Sequence, residues 1–132
     1  MIAVTERSPV AVVMQGEDRR GVDAGGNIFD PPGGLWLTGP IIRGDEGAIA
    51  EAVKVASSLP ADLEKRVRVI QAVSVDDIRL ELRNKSIVRW GNSQETEFKA
   101  EVLRSLLPRR AQAYDVSAPS LPATFGEKGP KE

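Results

Sequence analysis

The sequence predicts an α+β domain: a mixed or antiparallel sheet with two helices packed on one face. Three observations carry this expectation. Residues 77–83, DIRLELR, alternate apolar and charged side chains, the period of a strand with one buried face. Residues 49–59 and 98–107 repeat apolar side chains at the spacing of an amphipathic helix. Strand-like runs that are neighbours in sequence are separated by short turns, which favours hairpins in one layer and helices in another. The 132-residue length suits one core, since two would need roughly twice the chain.

Residues 9–15, PVAVVMQ, are rich in β-branched residues and suit a strand covered on both faces. Two short extended pieces, around Val22 and around Ile28 and Phe29, flank Ala24-Gly25-Gly26-Asn27, where glycine permits a tight hairpin turn. Asp23 beside this turn reads as a carboxylate capping nearby amides. Pro31-Pro32-Gly33-Gly34 is a break, and Leu35-Trp36-Leu37 a short strand ended by Gly39-Pro40. Asp45 is placed to cap a helix whose apolar stripe is Ile49, Ala52, Val53, Ala56 and Leu59. Pro60 stops it, and residues 61–65 add another helical turn. Residues 66–73, RVRVIQAV, form a strand with Val67, Val69 and Gln71 on one face and Arg68, Ile70 and Ala72 on the other.

Next comes the hairpin of residues 77–91. A three-residue loop at Asn84-Lys85-Ser86 pairs Leu82 with Val88, Leu80 with Trp90 and Glu81 with Arg89. A two-residue turn would instead set Arg89 against Leu80. Cross-strand pairs are worth roughly 0.2–1 kcal/mol each, so the three-residue loop is expected, with Trp90 in the core. Asn92 or Ser93 then caps a second helix with Phe98, Val102, Leu103, Leu106 and Leu107 inside and Glu97, Lys99, Glu101 and Arg104 outside. A last strand runs through residues 111–118. Pro119 and Pro122 confine the residues beyond it to an edge piece or tail. Residues 126–132, GEKGPKE, lack apolar side chains and are expected to be disordered.

Composition argues against catalysis. The chain has no histidine and no cysteine, which excludes His-based acid/base work, Ser-His-Asp and Cys-His nucleophiles, and His/Cys zinc sites. Asp76 and Asp77 are adjacent and point apart. Ser57, Ser58, Ser74, Ser93 and Ser105 have no base nearby. The glycine pairs lack phosphate-loop spacing. A net charge of −1 and 5% aromatic content offer no field or stacking platform for nucleic acid. No segment approaches the ~20 apolar residues that span a bilayer. The residues therefore imply no enzyme, no catalytic residue, no cofactor and no metal. They do imply a C-terminal strand edge open to a partner peptide by strand addition. The candidate partner-binding residues are Tyr114, Val116, Ser117, Ala118, Ser120, Leu121 and Phe125. Two other classes stay open: an adaptor domain of another envelope assembly system, and a small enzyme using Asp23, Asp76 and Asp115.

A series of motifs narrows the choice. VTERSPVAVV (residues 4–13), VDAGGNIF (22–29), LTGP (37–40), DIRLEL and IVRWG within residues 77–91, and YDVSAP (114–119) stand in this order. The ordered set resembles the FtsQ/DivIB family of bacterial cell-division proteins over roughly residues 2–125, with the last motif most like actinobacterial members. The resemblance implies residues 1–8 as the end of a preceding POTRA strand, 9–125 as an FtsQ-type β domain and 126–132 as a tail. It implies a non-enzymatic divisome scaffold in the plasma membrane, single-pass, with this domain on the extracytoplasmic side and the membrane span outside this chain. It implies FtsB and FtsL extracytoplasmic segments as partners, added as strands at the C-terminal edge, about residues 114–125, during septum assembly. Family members carry an aromatic residue near Ala118 and an arginine near Ser74; this sequence has neither.

Overall fold

The computed structural model describes residues 11–15, 18–23, 27–30 and 40–126. In chain order these form β1 (Ala11–Gln15), β2 (Asp18–Val22), β3 (Ile28–Phe29), β4 (Ile41–Gly44), α1 (Glu46–Ser58), α2 (Ala61–Glu64), β5 (Val67–Ser74), β6 (Asp77–Leu82) and β7 (Ile87–Gly91). After them come α3 (Thr96–Leu106), a 3-10 turn (Leu107–Arg109), β8 (Ala113–Asp115) and β9 (Ala123–Phe125). The expected strand at residues 35–37, the junction at 1–8 and the tail from 127 onward lie outside the described residues.

The strands form one mixed sheet in the order β3-β2-β1-β4-β5-β6-β7-β8-β9. β4 runs parallel to β1 and β5, and β8 parallel to β7; the other neighbours are antiparallel. Two parallel steps are helical crossovers, β4–α1–α2–β5 and β7–α3–β8. Both start from strands of the same sense and step the same way across the sheet. The right-handed sense of such crossovers places their helices on one face. Buried residues of α1, α2 and α3 accordingly join the sheet in a single core cluster.

Strand register builds that core. Val13 faces Ile42, Ile42 faces Ile70, Ile70 faces Leu80, Leu80 faces Val88 and Val88 faces Tyr114. This row crosses six strands, and each member is at most 1% exposed. Fully burying one such side chain is worth roughly 1.5–3 kcal/mol. A one-residue slip of any strand would turn its apolar set to the wrong face.

Several local expectations need correction. β4 has no counterpart among the expected elements, although it lies at the centre of the sheet; its Ile41-Ile42 pair has no alternation to announce it, and its parallel neighbours define it. In β5 an irregularity between Val67 and Val69 leaves Arg68 outside, so Val67 shares the helix-facing side with Ile70 and Ala72. Arg68 instead reaches Glu81 at 2.8 Å. The β6–β7 hairpin pairs Leu80 with Val88 and Glu81 with Ile87, two residues away from the expected register. A slip of two keeps every side chain on its face, so side-chain patterning cannot distinguish the two registers. The turn decides: Leu82 N–H donates to Ser86 O at 2.8 Å, Lys85 takes φ 76°, and the Asn84 carboxamide accepts from Ser86 N–H at 3.0 Å. The Ser86 hydroxyl then donates to Ala111 O at 2.7 Å. Arg89 sits 3.8 Å from Asp77, not opposite Glu81. Trp90 is fully buried, as expected.

The helices show two further differences. Asp45 stands at the α1 N-cap position, but its carboxylate makes no cap bond; its carbonyl accepts from Ala48 N–H at 2.9 Å. α3 is turned by about one residue from the expected stripe: Phe98 is 44% exposed and Lys99 only 2%. The Lys99 ammonium donates to Asn92 O at 2.9 Å and lies 5.9 Å from the Trp90 ring centroid. Burial pushes its pKa down, while Glu95 and Glu51 oppose the shift. Its methylene stem covers apolar surface and its charge meets a carbonyl and a ring face, so a residue scored as polar fills a core position.

Gly44 marks the tightest point of this arrangement. Its φ is +138°, and a Cβ there would collide with the Ala72 carbonyl of β5. Gly44→Ala is expected to lower unfolding free energy by about 2–4 kcal/mol, read as a reduced midpoint in urea titration.

Candidate interaction surface at the C-terminal sheet margin

β8 is held from within. Ile87 N–H donates to Gln112 O and Val116 N–H to Arg89 O, both at 3.0 Å, fastening β8 along β7. Tyr114 is 1% and Val116 0% exposed. The Tyr114 hydroxyl accepts from Ala111 N–H at 2.9 Å and reaches Leu107 O at 3.4 Å, which ties the strand to the end of α3. Asp115 then accepts from Ser117 N–H at 3.0 Å and from the Ser117 hydroxyl at 2.6 Å, a local turn that ends the strand.

A β-turn comes next, closed by Leu121 N–H to Ala118 O at 2.8 Å, with Pro119 at the position whose φ proline presets. The chain reverses and β9 pairs antiparallel with β8: Ala113 with Phe125, Tyr114 with Thr124, Asp115 with Ala123. Gln112 N–H donates to Phe125 O at 3.0 Å. Among the described residues β9 therefore has a strand neighbour on one side, and β3 is the margin at the other end of the sheet.

This arrangement revises the expected edge. The margin of β8 over residues 113–115 is already occupied by the molecule's own β9. Tyr114 and Val116 lie in the core, so their side chains are not surface contacts of the folded chain. Ser117 is half-buried against Asp115, and Ala118 and Ser120 are exposed in the turn. Leu121 and Phe125 are 81% and 56% exposed. The seven residues thus divide into two buried anchors and five at or near the surface, and the exposed apolar pair frames β9. What the sequence pattern missed is that residues 123–125 pair back; ATF is too short to show a period.

The face of the sheet opposite the helices carries Arg43, Gln71, Arg79, Arg89 and Asp115 in one cross-strand row. Arg79 contacts Asp77 at 2.9 Å and, by hydrogen bond and charge, holds its carboxyl below the ordinary range. The pair is half-buried, its Asp77 side chain 18% exposed. On the helix side, Arg104 of α3 grips Asp62 of α2 with two hydrogen bonds of 2.8 Å and lowers its pKa to about 2.

The carboxylates considered for an enzyme are scattered. Asp23 accepts from Asn27 N–H at 2.9 Å in the β2–β3 turn, and Asp115 is bound to Ser117. β2 and β8 are separated by six interstrand steps, roughly 29 Å at ~4.8 Å per step. Among the described residues no three acidic, histidine or cysteine side chains group as metal ligands. Among them, too, no helix is long and apolar enough to cross a membrane.

Residues 11–118 match the family model for the cell division protein FtsQ/DivIB, C-terminal. The chain is 37% identical over 136 residues to the cell division protein FtsQ of Streptomyces griseus, covering 92% of this chain and 65% of that protein. It is 36% identical over 126 residues to FtsQ of Mycobacteroides abscessus, covering 92% of this chain and 40% of that protein. The chain thus spans less than two thirds of the length of these relatives. The major extracytoplasmic domain of DivIB from Geobacillus stearothermophilus superposes with a TM-score of 0.53 at 17% identity, over 70% of this chain and 85% of that one; the two share a fold.

Buried and exposed residues of this margin separate cleanly in a stability assay. Tyr114→Ala is expected to cost about 3–5 kcal/mol, while Leu121→Ser and Phe125→Ser stay within about 0.5 kcal/mol of wild type. Chemical denaturation of the three variants checks the contrast.

Proposed function

Because the chain belongs to the FtsQ/DivIB family of bacterial cell-division proteins, we propose that it is the β domain of a divisome scaffold that catalyses nothing and binds other division proteins on the extracytoplasmic side of the plasma membrane. Its partners are the extracytoplasmic segments of FtsB and FtsL, engaged by strand addition at the C-terminal margin of the sheet during septum assembly. The whole protein is single-pass, with a POTRA domain ending near residue 8, this domain over residues 9–125 and a tail beyond.

The observation that carries this reading is the margin itself. Among the described residues a nine-stranded sheet ends in a three-residue strand with one strand neighbour, with Phe125 in it and Leu121 before it exposed. Strand addition draws affinity from main-chain hydrogen bonds and specificity from alternate side chains. It needs no cleft and no reactive side chain, which suits a chain without histidine or cysteine. The exposed Leu121 and Phe125 give the incoming segment an apolar rim; the rest of the contact is backbone.

Titration of the isotope-labelled chain with the FtsB–FtsL extracytoplasmic pair tests the proposal by NMR. Amide shifts are expected to concentrate in residues 111–126. Perturbations gathered at β2 and β3, or no perturbation at partner saturation, would contradict it.

A further inference from the structure

We propose that the end of the sheet where β5, β7 and β8 begin is a membrane-facing surface, on which three basic loops dock against a bilayer with anionic phosphate headgroups. The inference goes beyond partner binding and rests on the reading above only for the membrane anchor.

The three loops are residues 65–66 between α2 and β5, 83–86 between β6 and β7, and 107–112 between α3 and β8. They carry Lys65, Arg66, Arg83, Lys85, Arg109 and Arg110, all exposed, and no carboxylate, in a chain whose net charge is −1. Of the acids on the bordering elements, Asp62 is matched by Arg104 and Glu81 by Arg68, and Glu64 is half-buried. Hydrogen bonds fasten the loops side by side. Arg83 N–H donates to Arg66 O at 2.8 Å, and the Arg83 Nε–H to Lys65 O at 2.7 Å. The Ser86 hydroxyl donates to Ala111 O at 2.7 Å and Ile87 N–H to Gln112 O at 3.0 Å. The cations therefore stand on one fixed ridge from β5 to β8, three interstrand steps or roughly 14 Å across.

The backbone of the ridge is the second observation. Lys85 has φ 76° and Arg110 φ 55°, left-handed conformations that glycine or asparagine takes at lower cost. Among the described residues three non-glycine positions have positive φ, and two of them are these cations. A charged side chain held where a turn residue would be cheaper points to a use for the charge.

Two further observations select a bilayer over an acidic polypeptide. β1 runs parallel to β4 and β5, so Ala11 lies at this same end, which faces back toward the anchored part of the protein. β9 ends where β8 begins, so Phe125, 56% exposed, also stands here, and Pro108 is exposed between α3 and the ridge cations. Cations mixed with exposed apolar side chains match the headgroup boundary of a bilayer, where a polyanionic peptide would meet the charge alone. Six cations fall within the size of basic cluster that holds a protein to anionic lipid.

Lys85→Asn with Arg110→Asn removes two charges and relaxes two strained positions, so its urea midpoint is expected to equal or exceed that of wild type. Cosedimentation is measured with vesicles of phosphatidylglycerol and phosphatidylcholine in equal parts and with pure phosphatidylcholine. Wild type is expected to bind only the anionic vesicles and to lose binding in high salt. The double variant is expected to bind about twenty-fold weaker, at roughly five-fold per cation removed. Arg43→Asn with Lys54→Asn lowers net charge equally, away from the ridge, and is expected to bind like wild type. No binding of wild type to anionic vesicles, or equal losses in both double variants, overturns the proposal. Binding of polyglutamate without vesicle binding assigns the ridge to an acidic polypeptide and overturns it. Shifts of the loop amides in inorganic phosphate, again without vesicle binding, assign it to free phosphate and do the same. The Lys85/Arg110 variant keeps Leu121 and Phe125, so its binding of the FtsB–FtsL pair is expected to be unchanged; loss of that binding would make the ridge part of the partner site and overturn the membrane assignment while the partner reading stands.

Discussion

The structure depends on one row of buried side chains: Val13, Ile42, Ile70, Leu80, Val88 and Tyr114, in register across six strands. Because the row is continuous, no strand in it can shift by one residue without exposing its neighbours' apolar surface. It also orders the sheet from β1 to β8. With the two crossovers turning the same way, the helices close over this face and leave the other to arginines, carboxylates and a short aliphatic row in which Val12 and Val69 are buried and Ile41 and Ile87 half-buried. Tyr114 ends the row, and that placement makes β8 a core strand without committing the C-terminal residues beyond it to the core.

The polar groups near the core serve the same frame. Lys99 brings a charge to the α3–β7 junction, where the Asn92 carbonyl and the Trp90 ring receive it. Glu51 of α1 accepts from Ser93 N–H at 2.6 Å, linking the start of α3 to α1. Lys99 shares the inward side of α3 with Ala100, Leu103 and Leu106, and Phe98 faces out.

Much of this is legible in the sequence, for a physical reason. Long elements with one wet face, such as α1 and β6, print their period directly, and the α+β class and the burial of Trp90 come from them. Asp23 beside its glycine turn has the sequence context of a turn carboxylate, and the structure places it there. Short or fully buried pieces print nothing. β4 has four residues and parallel partners on both sides; β9 has three. The β6–β7 register escapes because two solutions two residues apart bury the same faces. The candidate edge lies at the expected end of the sheet, but Tyr114 and Val116 belong to the core and not to its surface. Nothing in YDV tells an edge strand from one covered by a later hairpin.

The margin's chemistry is that of backbone, which explains why so few side chains advertise it. Among the described residues the sheet ends on both sides with a phenylalanine on the helix-free face: Phe29 of β3 beside Gly21 of β2, and Phe125 of β9 beside Ala113 of β8. That symmetry offers the most direct test. A photo-reactive phenylalanine placed singly at each position, in dividing cells, reports which margin a division partner touches. Crosslinks to the FtsB–FtsL pair from position 125 and none from position 29 are expected. Crosslinks from position 29 alone would contradict the assignment of the interaction to the C-terminal end of the sheet.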